Sequence, residues 1–231
     1  MDTPQDVPLR ATDELVALLA HELRTPLGAV LNWAELLQAR PLDGARAQHG
    51  LQSIARNTRT LAGLVDELLA ILKQLVERND GTVRVEVGRS ARGASVASSA
   101  VPCEQALAGL RVLLVEDHVD ARDALVVILA GAGARVAAVG STVEAMAVIA
   151  LAPVDVLVTD IGLPHEDGYG LLRRLRSDLR GATTPAIALT AYACEKDAAR
   201  ALAAGFQRHV AKPVSPAELI AAVRSVAPAG R

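Results

Sequence analysis

Val154-Asp155-Val156-Leu157-Val158-Thr159-Asp160 decides how the second half of this chain is built. The run is apolar and β-branched, too short for a helix, and ends on a carboxylate. A run of this kind reads as a strand buried on both faces, as strands of a parallel sheet are. Outward from it the pattern alternates. Strands are predicted at Val112–Val115, Arg135–Val139, Val154–Thr159, Ala186–Leu189 and His209–Ala211. Helices are predicted at Asp123–Leu129, Val143–Ala150, Leu171–Ser177, Glu195–Ala203 and Pro216–Val226. Successive β/α units of this kind make an α/β doubly wound parallel sheet, and ligands of such sheets gather at the carboxyl ends of the strands.

That edge is where the sequence concentrates its chemistry. Glu116 and Asp117 end the first strand, Asp160 the third, Thr190 the fourth and Lys212 the fifth. Three carboxylates in one pocket repel, and a hard divalent cation relieves the repulsion. Mg²⁺ is the expected cofactor, taken by Asp117, Asp160 and a backbone carbonyl near Gly162, with Glu116 acting partly through water. With Lys212 the metal would neutralise phosphoryl oxygens as Asp160 attacks.

The first half follows a different period. Val16, Leu19, Leu23, Leu27, Val30, Ala34 and Leu37 recur at helical spacing, with Thr12 or Asp13 as the expected cap and residues 1–11 as a loose end. Pro41, Asp43 and Gly44 break the stripe. A second helix is predicted from about Ala45 to Glu77, with the seam Leu51, Ile54, Thr58, Leu61, Val65, Leu68, Leu72 and Leu75. Two long helices and a short turn form an all-α hairpin. One hairpin cannot cover two apolar faces, so a dimeric four-helix bundle is the expected completion. Between the halves, Val83, Val85 and Val87 alternate as in a strand, and Gly88 to Ala100 has linker composition.

His21-Glu22-Leu23-Arg24-Thr25-Pro26-Leu27 lies inside the first helix. Leu19 and Leu23 fall opposite His21, so the imidazole is expected to point away from the bundle core, with Thr25 on its own face. Pro26 removes a backbone hydrogen bond just after the site. An imidazole with one nitrogen free is a good phosphoryl acceptor, and Glu22 is placed to act as base.

Residues 12–78 resemble the dimerisation and histidine-phosphotransfer domain of histidine kinases. The span 111–226 resembles response-regulator receivers, which are flavodoxin-like, on Glu116-Asp117, Asp160, Thr190 and Lys212-Pro213. The resemblance implies that His21 and Asp160 both carry phosphate and that Glu22 is the acid/base residue. It also implies that Glu22 and Thr25 position water for dephosphorylating a partner receiver. Thr190 would meet the phosphate on Asp160, and a cis peptide is expected at Lys212-Pro213. Pro164 and Gly168 fit the loop after the acceptor. His209 stands where such receivers usually carry Tyr or Phe, and Gly162 and Tyr192 flank the acceptor entrance. The expected organisation is a hairpin at 12–78, a linker at 79–109 and a receiver at 110–227. The linker is too short for an ATP-binding domain. Asp80 to Val85 with Gly93 to Val96 resembles the last glycine-rich hairpin of one, and an ordinary linker explains the segment equally well.

Composition narrows the rest. Hydrophobic residues make up 51% of the 231 and aromatics 2%, so the cores must be aliphatic. A net charge of −2 gives no basic field for nucleic acid. No apolar run approaches the ~18 residues of a membrane span. Cys103 and Cys194 have no ligand spacing and read as free thiols. His49, His118 and His165 read as solvated, without zinc-like spacing. The expectation is a cytoplasmic phosphorelay protein, homodimeric through its hairpin, with a separate histidine kinase or response regulator as partner. Self-labelling from ATP is not expected. The alternatives are a histidine kinase served by a nucleotide domain in trans, and a non-catalytic dimeric decoy.

Overall fold

A computed structural model describes residues 6–39, 42–78, 105–178, 181–190 and 195–228. The alternating run at 83–87, the glycine-rich segment, Cys103, Tyr192 and Cys194 lie outside the described residues. The first half is a hairpin of α1 (Asp6–Ala39) and α2 (Gly44–Arg78). Helix α1 begins at Asp6, so part of the expected loose end is helical and Thr12 and Asp13 lie inside it. Pro8 is tolerated because a first-turn N–H has no intrahelical partner to lose. Asp43 starts α2: its Oδ1 accepts from the Arg46 N–H at 2.9 Å and its carbonyl from the Ala47 N–H at 2.9 Å.

The second half alternates β1 (Arg111–Val115), α3 (Val119–Gly131), β2 (Arg135–Val139), α4 (Thr142–Leu151), β3 (Val156–Asp160), α5 (Gly168–Ser177), β4 (Ala186–Thr190), α6 (Glu195–Ala203), β5 (Arg208–Ala211) and α7 (Pro216–Val226). The five strands are parallel in the order β2-β1-β3-β4-β5. Two helices start earlier than their apolar periodicity suggests, because polar caps set the start. His118 Nδ1 accepts from the Ala121 N–H to open α3 at Val119, and Asp167 Oδ1 accepts from the Gly170 N–H to open α5 at Gly168.

Strand alternation divides the core in two. Val112, Leu114, Val156, Val158, Ile187 and Leu189 face α3 and α7, while Leu113, Val115, Leu157, Ala186 and Ala188 face the other side with residues of α4, α5 and α6. Trp33 and Leu36 of α1 belong to the first cluster. The hairpin is therefore packed on the α3 side of the sheet domain. Among the described residues, no helix is long and apolar enough to cross a membrane.

The linker ends sooner than its composition suggests. Residues 105–109 form a turn in which the Leu107 N–H bonds the Ala132 carbonyl at 2.9 Å and the Leu107 side chain is 1% exposed. One leucine among small and polar residues carries no periodic signal, so only the fold reveals it as core. Leu107→Ala should destabilise the sheet domain by about 2–4 kcal/mol, as buried leucine truncations do. Urea unfolding followed by circular dichroism checks this; a linker residue would leave the midpoint unchanged.

Candidate functional site

The carboxyl edge of the sheet brings the expected acidic residues together. Glu116 follows β1 and is fully buried, Asp160 closes β3 and is 1% exposed, and Asp117 is exposed beside them. Carboxylate oxygens of all three lie within 4.8 Å of one another. Lys212, just after β5 and before the cis-bonded Pro213, places its ammonium 2.7 Å from Glu116 Oε2 and 2.5 Å from Asp160 Oδ2. The Gly162 N–H donates to Asp160 Oδ1 at 2.9 Å. Arg122 fixes the loop from outside by donating to the Glu116 carbonyl at 2.7 Å. Gly168 permits the close return of α5, since a Cβ there would stand 2.5 Å from the Asp160 carbonyl oxygen.

Charge in this pocket is not balanced by the protein alone. Glu116 Oε1 is buried and has no hydrogen-bond partner. Burial pushes the Glu116 carboxyl up to about 7, against the pull of the Lys212 charge and with the push of Asp160. Burial alone would lower Lys212, but the Glu116 and Asp160 charges outweigh it and hold the ammonium protonated. A buried orphan carboxylate oxygen beside two further carboxylates suits a hard divalent cation. The residues present therefore fit Mg²⁺.

Thr190 ends β4, and its hydroxyl is 2.7 Å from His209 Nε2 on β5. His209 thus engages the threonine hydroxyl directly.

Helix α1 brings the histidine site to this edge. The His21 imidazole lies against Gly162, two residues after Asp160; a Cβ at 162 would overlap ring atoms Cε1, Nε2 and Nδ1. The ring is half-buried, with Gly162 of the sheet domain against it. Glu22 is exposed, and its charge acts on the His118 imidazole. Thr25 is buried and its Oγ1 has no hydrogen-bond partner. Gly28 faces Pro213, leaving 3.8 Å from a Cβ built at 28 to the Pro213 Cα.

Two of the three other histidines are not simply solvated. His49 pairs with Asp123 at 3.1 Å and meets the Trp33 ring edge-on at 5.3 Å between centroids. His118 caps α3, and burial lowers its pKa against the nearby carboxylates. His165 is exposed, with φ of 69°. Sequence reasoning missed the polar contact between the domains altogether. Arg56 and Asn57 of α2 hydrogen-bond the carboxylate of Asp120 on α3, and Trp33 Nε1 donates to the Asp120 carbonyl. Burial pushes the Asp120 carboxyl up, but these hydrogen bonds and the Arg56 charge win and hold it below the ordinary range. The available signal was Ser53 and Asn57, polar residues one turn apart on a packed helix, together with the lone tryptophan.

With this geometry in place, comparison with known proteins is direct. Residues 11–74 match the His Kinase A (phospho-acceptor) domain, and residues 112–224 match the response regulator receiver domain. An uncharacterized 14.6 kDa protein of Leptolyngbya boryana is 42% identical over 120 residues, covering 52% of this chain and 92% of that protein. Probable histidine kinase 2 of Oryza sativa subsp. japonica is 32% identical over 159 residues, covering 61% of this chain and 14% of the kinase. The crystallised receiver domain of a Pseudomonas aeruginosa sensor histidine kinase, with magnesium in its active-site cleft, is 34% identical; the match covers 52% of this chain and 98% of that one, with a TM-score of 0.48. The second half of the chain is thus a receiver and the first a phospho-acceptor hairpin. The chain belongs to the two-component signalling family, as a His Kinase A domain fused to a receiver domain.

Glu116 gives a pH-dependent prediction. Its folded-state pKa lies above its ordinary value of 4.5, so the native state holds a proton that the unfolded chain releases. Stability from this group is greatest below pH 4.5 and falls as pH rises towards about 7. Glu116→Gln should therefore stabilise the metal-free protein at pH 8, by on the order of 2 kcal/mol, and do little near pH 4. Thermal melts at both pH values in EDTA test this; an equal effect at both would refute it.

Proposed function

We propose that this chain is a phosphorelay module that exchanges a phosphoryl group between His21 and Asp160, its own or a partner's. The observation that carries the reading is the His21 imidazole seated on Gly162 at the mouth of the Asp160 pocket. In-line transfer needs the donor nitrogen and acceptor oxygen on one approach, and a ring packed two residues from Asp160 supports that reading. As the P–N bond at His21 breaks, its electron pair stays on the imidazole nitrogen and a P–O bond forms to an Asp160 oxygen. Lys212, already between Asp160 and Glu116, meets the charge on the transferred group. Thr190 turns its hydroxyl to the phosphate at the expense of its bond to His209. Glu22 holds the second imidazole proton. Glu116, Asp117, Asp160 and the Gly162 carbonyl would hold Mg²⁺, which when bound neutralises phosphoryl oxygens. The unpartnered Thr25 hydroxyl is suited to a water that hydrolyses the acyl phosphate, giving a phosphatase role with Glu22. A separate histidine kinase or response regulator supplies or takes the phosphate.

The test is to charge His21 with a foreign kinase and follow the label. It should pass to Asp160 in the parent and remain on the histidine in Asp160→Asn. Mixing His21→Ala with Asp160→Asn chains separates transfer within a chain from transfer between chains. Gly162→Val fills the space the imidazole occupies. Relative to its own loading from a small phosphodonor, this variant should exchange with His21 at least about tenfold more slowly. If His21 never discharges to any Asp160, the relay is refuted.

The same reading includes a homodimer. Leu27, Leu31, Leu51, Val65, Leu69 and Ile71 of the hairpin are exposed in the single chain, Leu51 at 60%. The expected seam is therefore split, with Ile54 packed against the core that Trp33 and Leu36 share with the sheet domain, while Leu51 and Val65 are exposed. A second hairpin covering the outward leucines would complete a four-helix bundle. Sedimentation should show a dimer at micromolar concentration and a monomer for Val65→Glu/Leu69→Glu. A monomeric parent would rule the bundle out.

A further inference from the structure

We propose that Asp120 is the residue by which the hairpin recognises a receiver, and that the arrangement selects this chain's own. The inference rests on the phosphotransfer reading above. Asp120 sits in the first turn of α3, on the helix that begins just after the Glu116-Asp117 pair. Its Oδ1 accepts from Arg56 Nη2 at 2.5 Å, and its Oδ2 from Asn57 Nδ2 at 2.8 Å and Arg56 Nε at 3.3 Å. Its carbonyl accepts from Trp33 Nε1 at 3.3 Å. Asn57 is held in place by its own bond to the Ser53 carbonyl at 2.8 Å. Every donor comes from the hairpin and every acceptor on Asp120 comes from the receiver.

The environment makes the contact selective. The Asp120 side chain is 11% exposed, and Trp33 is packed into the receiver core beside Leu125, Ile128 and Leu129 of α3. The His49–Asp123 pair at the margin is about 40% exposed on both sides and contributes little. A receiver with an apolar residue at the position of Asp120 would leave the Asn57 amide buried without an acceptor. One with a basic residue would set two cations face to face. Either should cost about 10- to 100-fold in affinity. The partner the hairpin accepts is thus defined chemically: a receiver with a carboxylate in the first turn of the helix that follows its acidic pair. This chain carries such a receiver on a tether, which raises its effective concentration at the hairpin. With its own receiver seated, His21 is half-buried against Gly162, and an outside receiver must displace the seated one to reach the same face.

Trp33 is the sole tryptophan, so its fluorescence in the full-length protein reports docking independently of phosphate. Asp120→Lys should shift Trp33 emission to the red and raise its quenching by iodide, with the far-ultraviolet circular dichroism unchanged. Asp120→Asn, which removes only the charge, should lie between. The swap Arg56→Asp/Asp120→Arg should recover much of the parent signal. A folded Asp120→Asn and Asp120→Lys pair with parent emission and quenching would overturn the proposal, as would a swap no better than either single change. Transfer gives the second arm. Donor chains carry Asp160→Asn and phosphorylated His21, and acceptor chains carry His21→Ala. Adding Asp120→Lys to the donor should speed transfer several-fold by freeing the face, and adding it to the acceptor should slow transfer 10- to 100-fold. Equal rates in both cases overturn the proposal. Docking changes as expected with no transfer in any pairing would instead refute the phosphotransfer reading and leave the recognition contact standing.

Discussion

A buried ammonium holds the working edge of this protein together. Lys212 bridges Glu116 and Asp160, joining the ends of β1, β3 and β5 at a point where none of the three groups reaches solvent freely. Taken alone, each would be a costly buried charge. Together they are tolerable only because the strand order puts β1 and β3 side by side, with β5 one strand beyond β4. Removing the ammonium would leave two buried carboxylates without a counter-charge, so the fold and the site constrain each other. The remaining imbalance, an unpartnered Glu116 oxygen, is what makes the pocket receptive to a divalent cation.

That pocket opens towards the hairpin. The Gly162 N–H holds Asp160 from one side, and the absent side chain of Gly162 admits His21 from the other. The same glycine thus orients Asp160 and makes room for His21. Farther along α1, Gly28 meets Pro213 and Trp33 enters the receiver core, so the helix touches the receiver at several points along its length. The contact mixes apolar burial around Trp33 with a buried polar centre at Asp120. Apolar burial favours association with many surfaces, whereas the hydrogen-bonded carboxylate favours one.

Much of this is legible in the sequence alone. Val156–Asp160 is buried on both faces, so its composition announces a parallel strand, and topology then forces Glu116, Asp160, Thr190 and Lys212 to one edge. The helical hairpin was legible from its period, and its turn from Asp43. What escaped were features without a period. Leu107 is a single core residue in a polar stretch. Asp6 opens a helix that its sequence neighbours do not advertise. His49 and His118 look like surface residues until α3 supplies Asp123 to one and an open N-terminus to the other. The Asp120 cluster joins residues 63 and 64 positions apart in sequence, and no local pattern encodes such a meeting.

The two histidines nearest the chemistry have opposite relations to it. His21 approaches Asp160 from outside the receiver, held by a helix that the receiver itself helps to anchor. His209 lies within the sheet and ties up the Thr190 hydroxyl. A phosphate on Asp160 would have to draw Thr190 from that bond, so the state of the acceptor is coupled to the imidazole on the edge strand β5. Gly162, which donates to Asp160, also forms the seat of His21, so a group added to Asp160 would alter the surface on which that imidazole packs. Both consequences follow from filling one small volume with a dianionic group. A phosphate on Asp160 would thus bear on the seat of α1 as it released His209, so that one small group would reach both imidazoles.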